Sequence, residues 1–507
     1  MVSNTPVHLM SLEHFDVLII GAGLSGIGAA YHLQDKCPGK TYAVLEGRGD
    51  LGGTWDLFRY PGIRSDSDMH TLGYGFRPWT EAKSLADGPS ILRYLRETAA
   101  EFGIDRKIRF HHRVVSAAYS SAEARWTVEV VRADTGEALR MTCGFLLGCT
   151  GYYRYDEGYS PKFPGAERFA GKIVHPQHWP EDLDYAGKRV VVIGSGATAV
   201  TLVPAMSGTA AHVTMLQRSP TYIASIPGTD PIAAWLDRFL PGKVAHSLVR
   251  WKNVALQLYV YQLCRRRPEQ ARAMLRKLIK RELPQGFDVD RHFKPSYDPW
   301  DQRLCFVPDG DLFKAIRDGK VSVAADTIET FTEGGIRLTS GEELAADIIV
   351  TATGLNLLML GGIKLRVDGE EVRPAERKTY KGMMLEGVPN FAFAIGYTNA
   401  SWTLKADLTG EYVCRLLRHM DAQGHRQCVP QNDDPTLEDR PLLDFKAGYV
   451  LRSLAELPKQ GSRAPWRLRM NYPLDLLTLR HGAIVDGVMR FSSPQTVGAT
   501  HPAAAVA

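Results

Sequence analysis

The sequence predicts an α/β protein built from two βαβ units, with a β-meander inserted in the first and a helical segment inserted in the second. Three observations lead there. Two apolar runs, Phe15–Ile20 (FDVLII) and Arg189–Ile193 (RVVVI), each lead through a glycine turn into a helical pattern. Between Ile108 and Gly151 the pattern changes, and Arg125–Val131 (RWTVEVV) alternates apolar and polar residues with the period of a half-buried strand. From about Tyr222 to Pro299 the chain turns helical and basic.

The elements follow in order. Phe15–Ile20 reads as a buried parallel strand, because such strands are apolar on both faces. A helix spans about Leu24 to Lys36, and Thr41–Glu46 (TYAVLE) is the next strand, closing a unit of about 32 residues, the size of a βαβ unit. In the meander, Arg109–His112 and Arg125–Val131 are strands, Asp134–Gly136 a turn and Phe145–Cys149 a further strand. The second unit runs from Arg189–Ile193 through a helix at about Ala197 to Met206 and ends with Val213–Gln217. Past the helical segment, Lys320–Ala324, Ile336–Thr339 and Asp347–Thr351 read as strands. This interrupted order predicts discontinuous domains. Residues 1–150 and 346–490 make the first, 151–221 and 301–345 the second, and 222–300 the helical insertion. Residues 491–507, rich in Ala, Ser, Thr and Pro, form a disordered tail.

Composition bounds the function. A chain of 507 residues allows about three compact units and a large core without disulfide staples. Hydrophobic residues at 44% and charged residues at 23% exclude a disordered or fibrous chain. A net charge of +5 is small for this length and gives no sign of a nucleic-acid partner. The seven cysteines are odd in number and none form C-x-x-C, which argues against a zinc site, a disulfide scaffold and a dithiol redox centre. The fifteen histidines show no metal-ligand cluster. Met1 to His14 lacks the pattern of a signal peptide, and no 18 apolar residues run uninterrupted, so a cytoplasmic protein is expected. The span Lys243 to Glu282 holds eleven Lys/Arg and two Glu, a net of +9, so the remainder of the chain carries −4. That stretch reads either as a solvated face or as a peripheral docking surface on the inner face of an anionic membrane. In the second reading Leu248, Trp251, Val254, Leu258 and Tyr261 recur at helical spacing beside Arg250 and Lys252.

The two turns carry the chemistry. Gly21-Ala22-Gly23-Leu24-Ser25-Gly26 follows a strand and opens a helix. Gly21 permits the tight turn, Gly23 lets a pyrophosphate approach the backbone, and Gly26 lets helix and strand pack closely. The helix N-terminus offers free N–H groups to phosphates. Glu46, twenty residues past Gly26, accepts bonds from ribose hydroxyls and repels a 2′-phosphate, which favours FAD or NAD. The second turn, Gly194-Ser195-Gly196-Ala197-Thr198-Ala199, is the G-x-G-x-x-A variant, and its second strand ends at Arg218-Ser219. A guanidinium that can fork onto a 2′-phosphate, with a hydroxyl donor beside it, favours NADP. These are two dinucleotide-binding (Rossmann-like) domains. Two different dinucleotides on one chain imply that NADPH reduces a flavin, and with no paired cysteines to take the electrons, dioxygen is the simplest acceptor.

The segment Phe169-Ala170-Gly171-Lys172-Ile173-Val174-His175-Pro176-Gln177-His178-Trp179-Pro180 fits F-x-G-x-x-x-H-x-x-x-W-P and lies just before the second turn. It resembles the fingerprint of Baeyer–Villiger monooxygenases, a class B flavoprotein family. Gly52-Gly53-Thr54-Trp55, Tyr60–Asp66, Thr351–Gly354 and Tyr397–Trp402 extend the resemblance over nearly the whole chain, and within the family it points to the ethionamide-activating branch. The resemblance implies an FAD domain, an NADP domain with the helical insertion, and a flavin between them. It implies that one oxygen atom of dioxygen is inserted into a ketone through a flavin C4a-peroxide, giving an ester or lactone, with side activity on thioether or thioamide sulfur. Two competing readings are a flavin-containing N/S-monooxygenase with little ketone activity, against which Trp179-Pro180 argues, and a non-catalytic FAD-binding sensor.

By the same resemblance Arg303, in Tyr297–Leu304, is the permanent cation beside the oxygenated flavin, and Asp66 is its anionic partner. Some family members carry Lys where this chain has Gln302, which leaves one 2′-phosphate contact open. Ser25, Glu46, Thr54, Trp55, Asp56, Leu57, Arg64 and Asp66 line the FAD cleft, and Val114 contacts the adenine through its backbone. His175–Trp179 organises the domain linker rather than doing chemistry. Asn399–Asp407 and Lys459–Trp466 either border the substrate cavity or NADP, or are core packing and a surface loop.

Overall fold

The apolar run near the start of the chain becomes the centre of a nine-stranded sheet. The computed structural model describes residues 12–494. Glu13–Ile20 pairs in parallel with Tyr42–Leu45 on one side and with Ala138–Gly148 on the other. Its last four residues, Val17 to Ile20, are buried on both faces, as a central strand requires. The helix Leu24–Lys36 packs against Trp402–Gln423, a long helix from the far end of the sequence.

The meander forms from His112–Ser120, Arg125–Arg132 and Ala138–Gly148, all antiparallel. The expected strand at Arg109–His112 is a two-residue strand, Ile108–Arg109, followed by a long one that starts at His112. Val114 therefore lies inside a strand rather than after one. A bulge between Val114 and Ser116 breaks the period of two and conceals the strand in the sequence. The strand Ala138–Gly148 forks: its first half pairs with the meander and its second half with Phe391–Phe393.

The second sheet is wholly parallel. Its order is Val321–Ala325, His212–Gln217, Arg189–Ile193, Ile348–Thr351, Lys172–Val174. Ile348–Thr351 thus sits inside this sheet, so the second domain runs past 345 and the boundary placed there is corrected. All four of its residues are buried. A short apolar run says that it is buried but not in which sheet.

The helical segment holds Pro231–Phe239, Gly242–Arg266, Pro268–Glu282 and Val289–Phe293. It is not wholly helical, because Ile223–Ile226 pairs in parallel with Cys305–Pro308 and frames the insertion at its base. The disordered tail is corrected at its start: Met489–Ser492 pairs with Gln427–Pro430, and Phe491 packs against the rings of His419 and His425. Residues 495–507, like residues 1–11 of the expected non-signal N-terminus, lie outside the described residues. All seven cysteines are free and buried. Among the described residues no helix is long and apolar enough to cross a membrane, and no group of three metal-ligating side chains occurs.

Candidate active site

Both glycine turns open on one cavity between the two sheets, of about 1260 Å³. That exceeds the roughly 300–1,000 Å³ of an ordinary ligand pocket. The turns are built alike. Gly21 has φ +102° and Gly194 φ +131°, a region that disfavours any residue with a Cβ. A Cβ on Gly21 would lie 2.5 Å from the Cys149 carbonyl oxygen, and one on Gly194 2.3 Å from that of Ala352. Both helices start from a glycine, Gly23 and Gly196, with the same angles (φ −78°, ψ −173°) and no side-chain cap. Their first-turn N–H groups are left for an anion.

At the first turn Glu46 is buried directly after its strand. Its Oε2 accepts from Ala22 N at 2.8 Å and its Oε1 from Arg48 N at 2.9 Å. Burial raises its carboxyl pKa, and these N–H bonds and the Arg48 charge oppose the rise. Each oxygen keeps acceptor capacity for a hydroxyl. Ser25, Thr54, Trp55 and Val114 border the cavity. Asp56 and Leu57, read from sequence as part of the cleft, are not among the residues that border it. The helix Thr54–Leu57 turns its first two residues to the cavity and its last two away. Asp56 is buried between Arg48 (2.6 Å) and Arg59 (3.0 Å), and so orients Arg48, which does line the cavity. Leu57 packs in the core of the second domain. Gly26 and Ala199 also lie behind the cavity wall, where they serve helix packing rather than contact.

At the second turn Ser195, Gly196, Ala197 and Thr198 border the cavity with Arg218 and Ser219. The Ser195 hydroxyl bonds to Thr221 Oγ1 (2.8 Å) and Ser219 O (3.2 Å). Arg218 is exposed, and no carboxylate lies within ion-pairing distance of it among the described residues. Gln302 borders the same space. Arg64 borders the cavity too, but its guanidinium is engaged by Asp311, at 2.5 and 3.4 Å, and so ties the first domain to the helix Asp311–Arg317 of the second.

Arg303 reaches the cavity two residues before Cys305–Pro308, the strand that closes the helical insertion. Its Nε donates to Asp66 Oδ2 at 2.6 Å, and Nη2 lies 2.6 Å from the same oxygen as an ion pair. About 34% of the Arg303 side chain is exposed, and it borders the cavity. Burial works against its charge, but Asp66 and the phenols of Tyr449, Tyr152 and Tyr153 outweigh that and leave its pKa above the ordinary arginine value. The Tyr152 and Tyr153 hydroxyls stand 3.0 Å apart, and Trp402 stacks on Tyr152 while its Nε1 donates to Ser25 Oγ at 2.8 Å.

Sequence reasoning missed Tyr152, Tyr153, Tyr449 and Arg452 as cavity residues. One signal was present: Tyr152-Tyr153 follows Cys149-Thr150-Gly151, and Ala352-Thr353-Gly354 repeats the Thr-Gly corner against the other turn. Tyr449 and Arg452 have no local motif. The fingerprint segment lies beside the cavity without bordering it. His175 Nδ1 accepts from Gln177 N (3.2 Å), Gln177 Nε2 donates to the carbonyls of Arg154 and Tyr155 (2.9 and 3.0 Å), and His178 bonds Asp156 O (3.1 Å). The segment thereby pins the linker strand Tyr153–Gly158, and burial lowers the His175 pKa. Ala400 and Trp402 border the cavity, whereas Lys459–Trp466 does not. Its Trp466 packs on Tyr380 in the first domain's core.

Behind Trp402, Lys405 is 1% exposed and donates to Asp475 Oδ2 at 2.8 Å, which also accepts from Tyr397 OH at 2.8 Å. Burial lowers the Lys405 pKa, and the Asp475 charge counters it. Lys405→Met leaves a buried carboxylate without its cation, and urea unfolding should read a loss of about 3–5 kcal/mol. An unchanged midpoint would remove the pair from the account.

The sequence matches two family models: flavin-binding monooxygenase-like over residues 82–240, and NAD(P)-binding Rossmann-like domain over residues 19–88. It is 60% identical over 488 residues to the FAD-containing monooxygenase EthA of Mycobacterium tuberculosis, covering 96% of this chain and 99% of that one. It is 50% identical over 481 residues to the probable FAD-binding monooxygenase AlmA of Acinetobacter baylyi, covering 94% and 96%. Its fold is similar to that of an oxidized steroid monooxygenase bound to NADP (TM-score 0.72, 24% identity, 95% of this chain and 100% of that one). It is equally similar in fold to cyclohexanone monooxygenase bound to ε-caprolactone (TM-score 0.72, 20% identity, 95% and 100%). With two glycine turns facing one cleft and relatives of this identity over nearly their full length, the chain belongs to the class B flavoprotein monooxygenases.

Proposed function

We propose that this enzyme uses FAD and NADPH to insert one oxygen atom of dioxygen into a ketone, giving an ester or lactone, and that it also oxidises thioether or thioamide sulfur. The observation that carries this reading is the Arg303–Asp66 pair, held at the cavity between the two dinucleotide turns. The residues present fit both cofactors: an uncapped helix start at each turn, a buried carboxylate beside the first, and a free guanidinium beside the second. In this reading the Gly21 turn, Ser25, Glu46, Thr54 and Trp55 hold FAD, with the Val114 backbone at the adenine. The Gly194 turn, Arg218 and Ser219 hold NADPH. When bound, the flavin supplies reduction by NADPH and activation of dioxygen.

The rest falls to the protein's own groups. Ketone oxygenation develops negative charge on oxygen, and Arg303 presents a fixed cation to it without a proton it can readily give up. Asp66 aims the guanidinium through the Nε hydrogen bond and the close ion pair to one carboxylate oxygen. Tyr152, Tyr153, Tyr449 and Trp402 wall the space and exclude water, which strengthens that attraction.

Glu46 and Arg218 divide the cofactors, since a carboxylate repels a 2′-phosphate and a guanidinium binds it. Arg218→Ala should raise KM for NADPH by about 10–100-fold and leave KM for NADH nearly unchanged, the loss expected for a charge-assisted contact of about 1.5–3 kcal/mol. Equal effects on both would place the 2′-phosphate elsewhere. The function itself is tested by incubating the yellow protein with NADPH, a linear ketone and a thioether, then analysing product mass. Ester formation supports the proposal; sulfoxide alone makes the enzyme an S-oxygenase.

A further inference from the structure

The helical insertion turns apolar side chains outward. Of the sixteen exposed large hydrophobic residues in the described chain, ten lie between Ile232 and Leu278. On the helix Gly242–Arg266 the exposed stripe is Val244, Leu248, Trp251, Ala255 and Tyr259, at spacings of three and four that keep them on one face. No charged residue falls on that stripe. The helix is 25 residues long, so the stripe extends along most of about 37 Å. The preceding helix packs against it and exposes Ile232, Trp235 and Phe239, again on one face, and the following helix exposes Met274 and Leu278.

This corrects the stripe expected from sequence. Leu248 and Trp251 belong to it, but Val254 is buried against Tyr397 and Leu404, and Tyr261 faces Trp300. Arg250 points inward and donates to the carbonyls of His70 and Gly73, while Lys252 pairs with Asp230. A helix docked on a domain must bury one face. Here the buried face takes polar contacts as well, and the outward face is left apolar.

The charge lies around this face. Within residues 243–282, Arg265, Arg272 and Arg276 pair with Asp301, Asp298 and Asp290. Lys243, Arg266, Arg267, Lys277, Lys280 and Arg281 have no ion-pair partner among the described residues. Lys243 stands at one end of the long helix, and Arg266 with Arg267 at the other. An exposed apolar patch bracketed by free cations, with two tryptophans in it, has the surface of an interfacial helix on anionic lipid.

We propose that this three-helix face docks peripherally on an anionic bilayer. The apolar stripe enters the boundary between headgroups and acyl chains, and the unpaired Lys and Arg residues meet lipid phosphates. The inference is independent of the reaction assigned to the cleft, since none of these residues borders the cavity.

The test uses the full-length FAD-loaded enzyme and co-sedimentation with phosphatidylglycerol–phosphatidylcholine vesicles, beside vesicles of phosphatidylcholine alone. The expected result is binding to the anionic vesicles at low salt that weakens as salt rises, with little binding to the neutral ones. Leu248→Glu with Tyr259→Glu should lower the partition coefficient on the order of tenfold or more. Flavin content and thermal midpoint should stay unchanged, because both side chains already face water. No sedimentation at low salt overturns the proposal, as does equal binding to neutral vesicles. A wild-type dimer that the double variant converts to monomer also overturns it and assigns the face to a second copy of the chain.

Discussion

Arg303→Ala should leave an enzyme that consumes NADPH and releases hydrogen peroxide while making almost no ester. The reductive half of the cycle needs the two dinucleotides side by side, and Arg303 belongs to neither glycine turn. The oxygenating half needs a cation where charge develops on oxygen. Loss of one such electrostatic donor typically costs about 10²–10³-fold in kcat. Here the group is fully charged and stands among phenols and a tryptophan, so the loss should reach at least that range. Product analysis by mass, peroxide assay and NADPH absorbance on one sample separate the two halves. The flavin spectrum serves as the control for folding. Arg303→Lys should recover part of the activity, because an ammonium keeps the charge but loses the directed Nε hydrogen bond to Asp66 and can release a proton. An Arg303→Ala enzyme that forms ester normally would end the assignment.

Gly26→Ala should be the most damaging single methyl group in the molecule. A Cβ there would lie 1.8 Å from the carbonyl oxygen of Gly21 and 3.0 Å from its carbonyl carbon. Both belong to the backbone of the same turn, so relief means opening the turn and moving the helix Leu24–Lys36 off the sheet. A loss of more than about 4 kcal/mol and a colourless protein are expected. Gly196→Ala makes the contrast. Its φ of −78° suits alanine, and no atom lies within 4 Å of the added Cβ. That variant should fold, keep its flavin and bind NADPH less tightly, because the methyl group occupies the approach of the pyrophosphate. Should both variants behave alike, the two turns would not have the different tolerances that their packing indicates.

The legible parts of the sequence were those in which one local demand fixes the residue. The helices Leu24–Lys36 and Ala197–Met206 and the strand Arg189–Ile193 follow the expected limits, because an apolar run, a glycine turn and a helical period coincide there. Val114 was misplaced because a bulge interrupts the alternation around it. Asp56 and Leu57 were read together with Thr54 and Trp55, yet successive pairs of residues in a helical turn face opposite sides, and only Thr54 and Trp55 border the cavity. The exposed stripe was misassigned in part for a related reason: Val254 and Tyr259 both carry apolar surface, and only the neighbouring domain decides which of them is covered.

By itself the sequence determined the two nucleotide turns, the acid at one and the cation at the other, and the family that combines them. These are demands of backbone geometry and charge made within about thirty residues, so neighbours along the chain carry them. Only the tertiary structure decided that Ile348–Thr351 belongs to the second sheet, that Tyr449 joins Tyr152 and Tyr153 around Arg303, and that Arg64 is held by Asp311. Such contacts join residues more than a hundred positions apart, and what selects them is the burial and charge pairing of the whole fold, which no local pattern records.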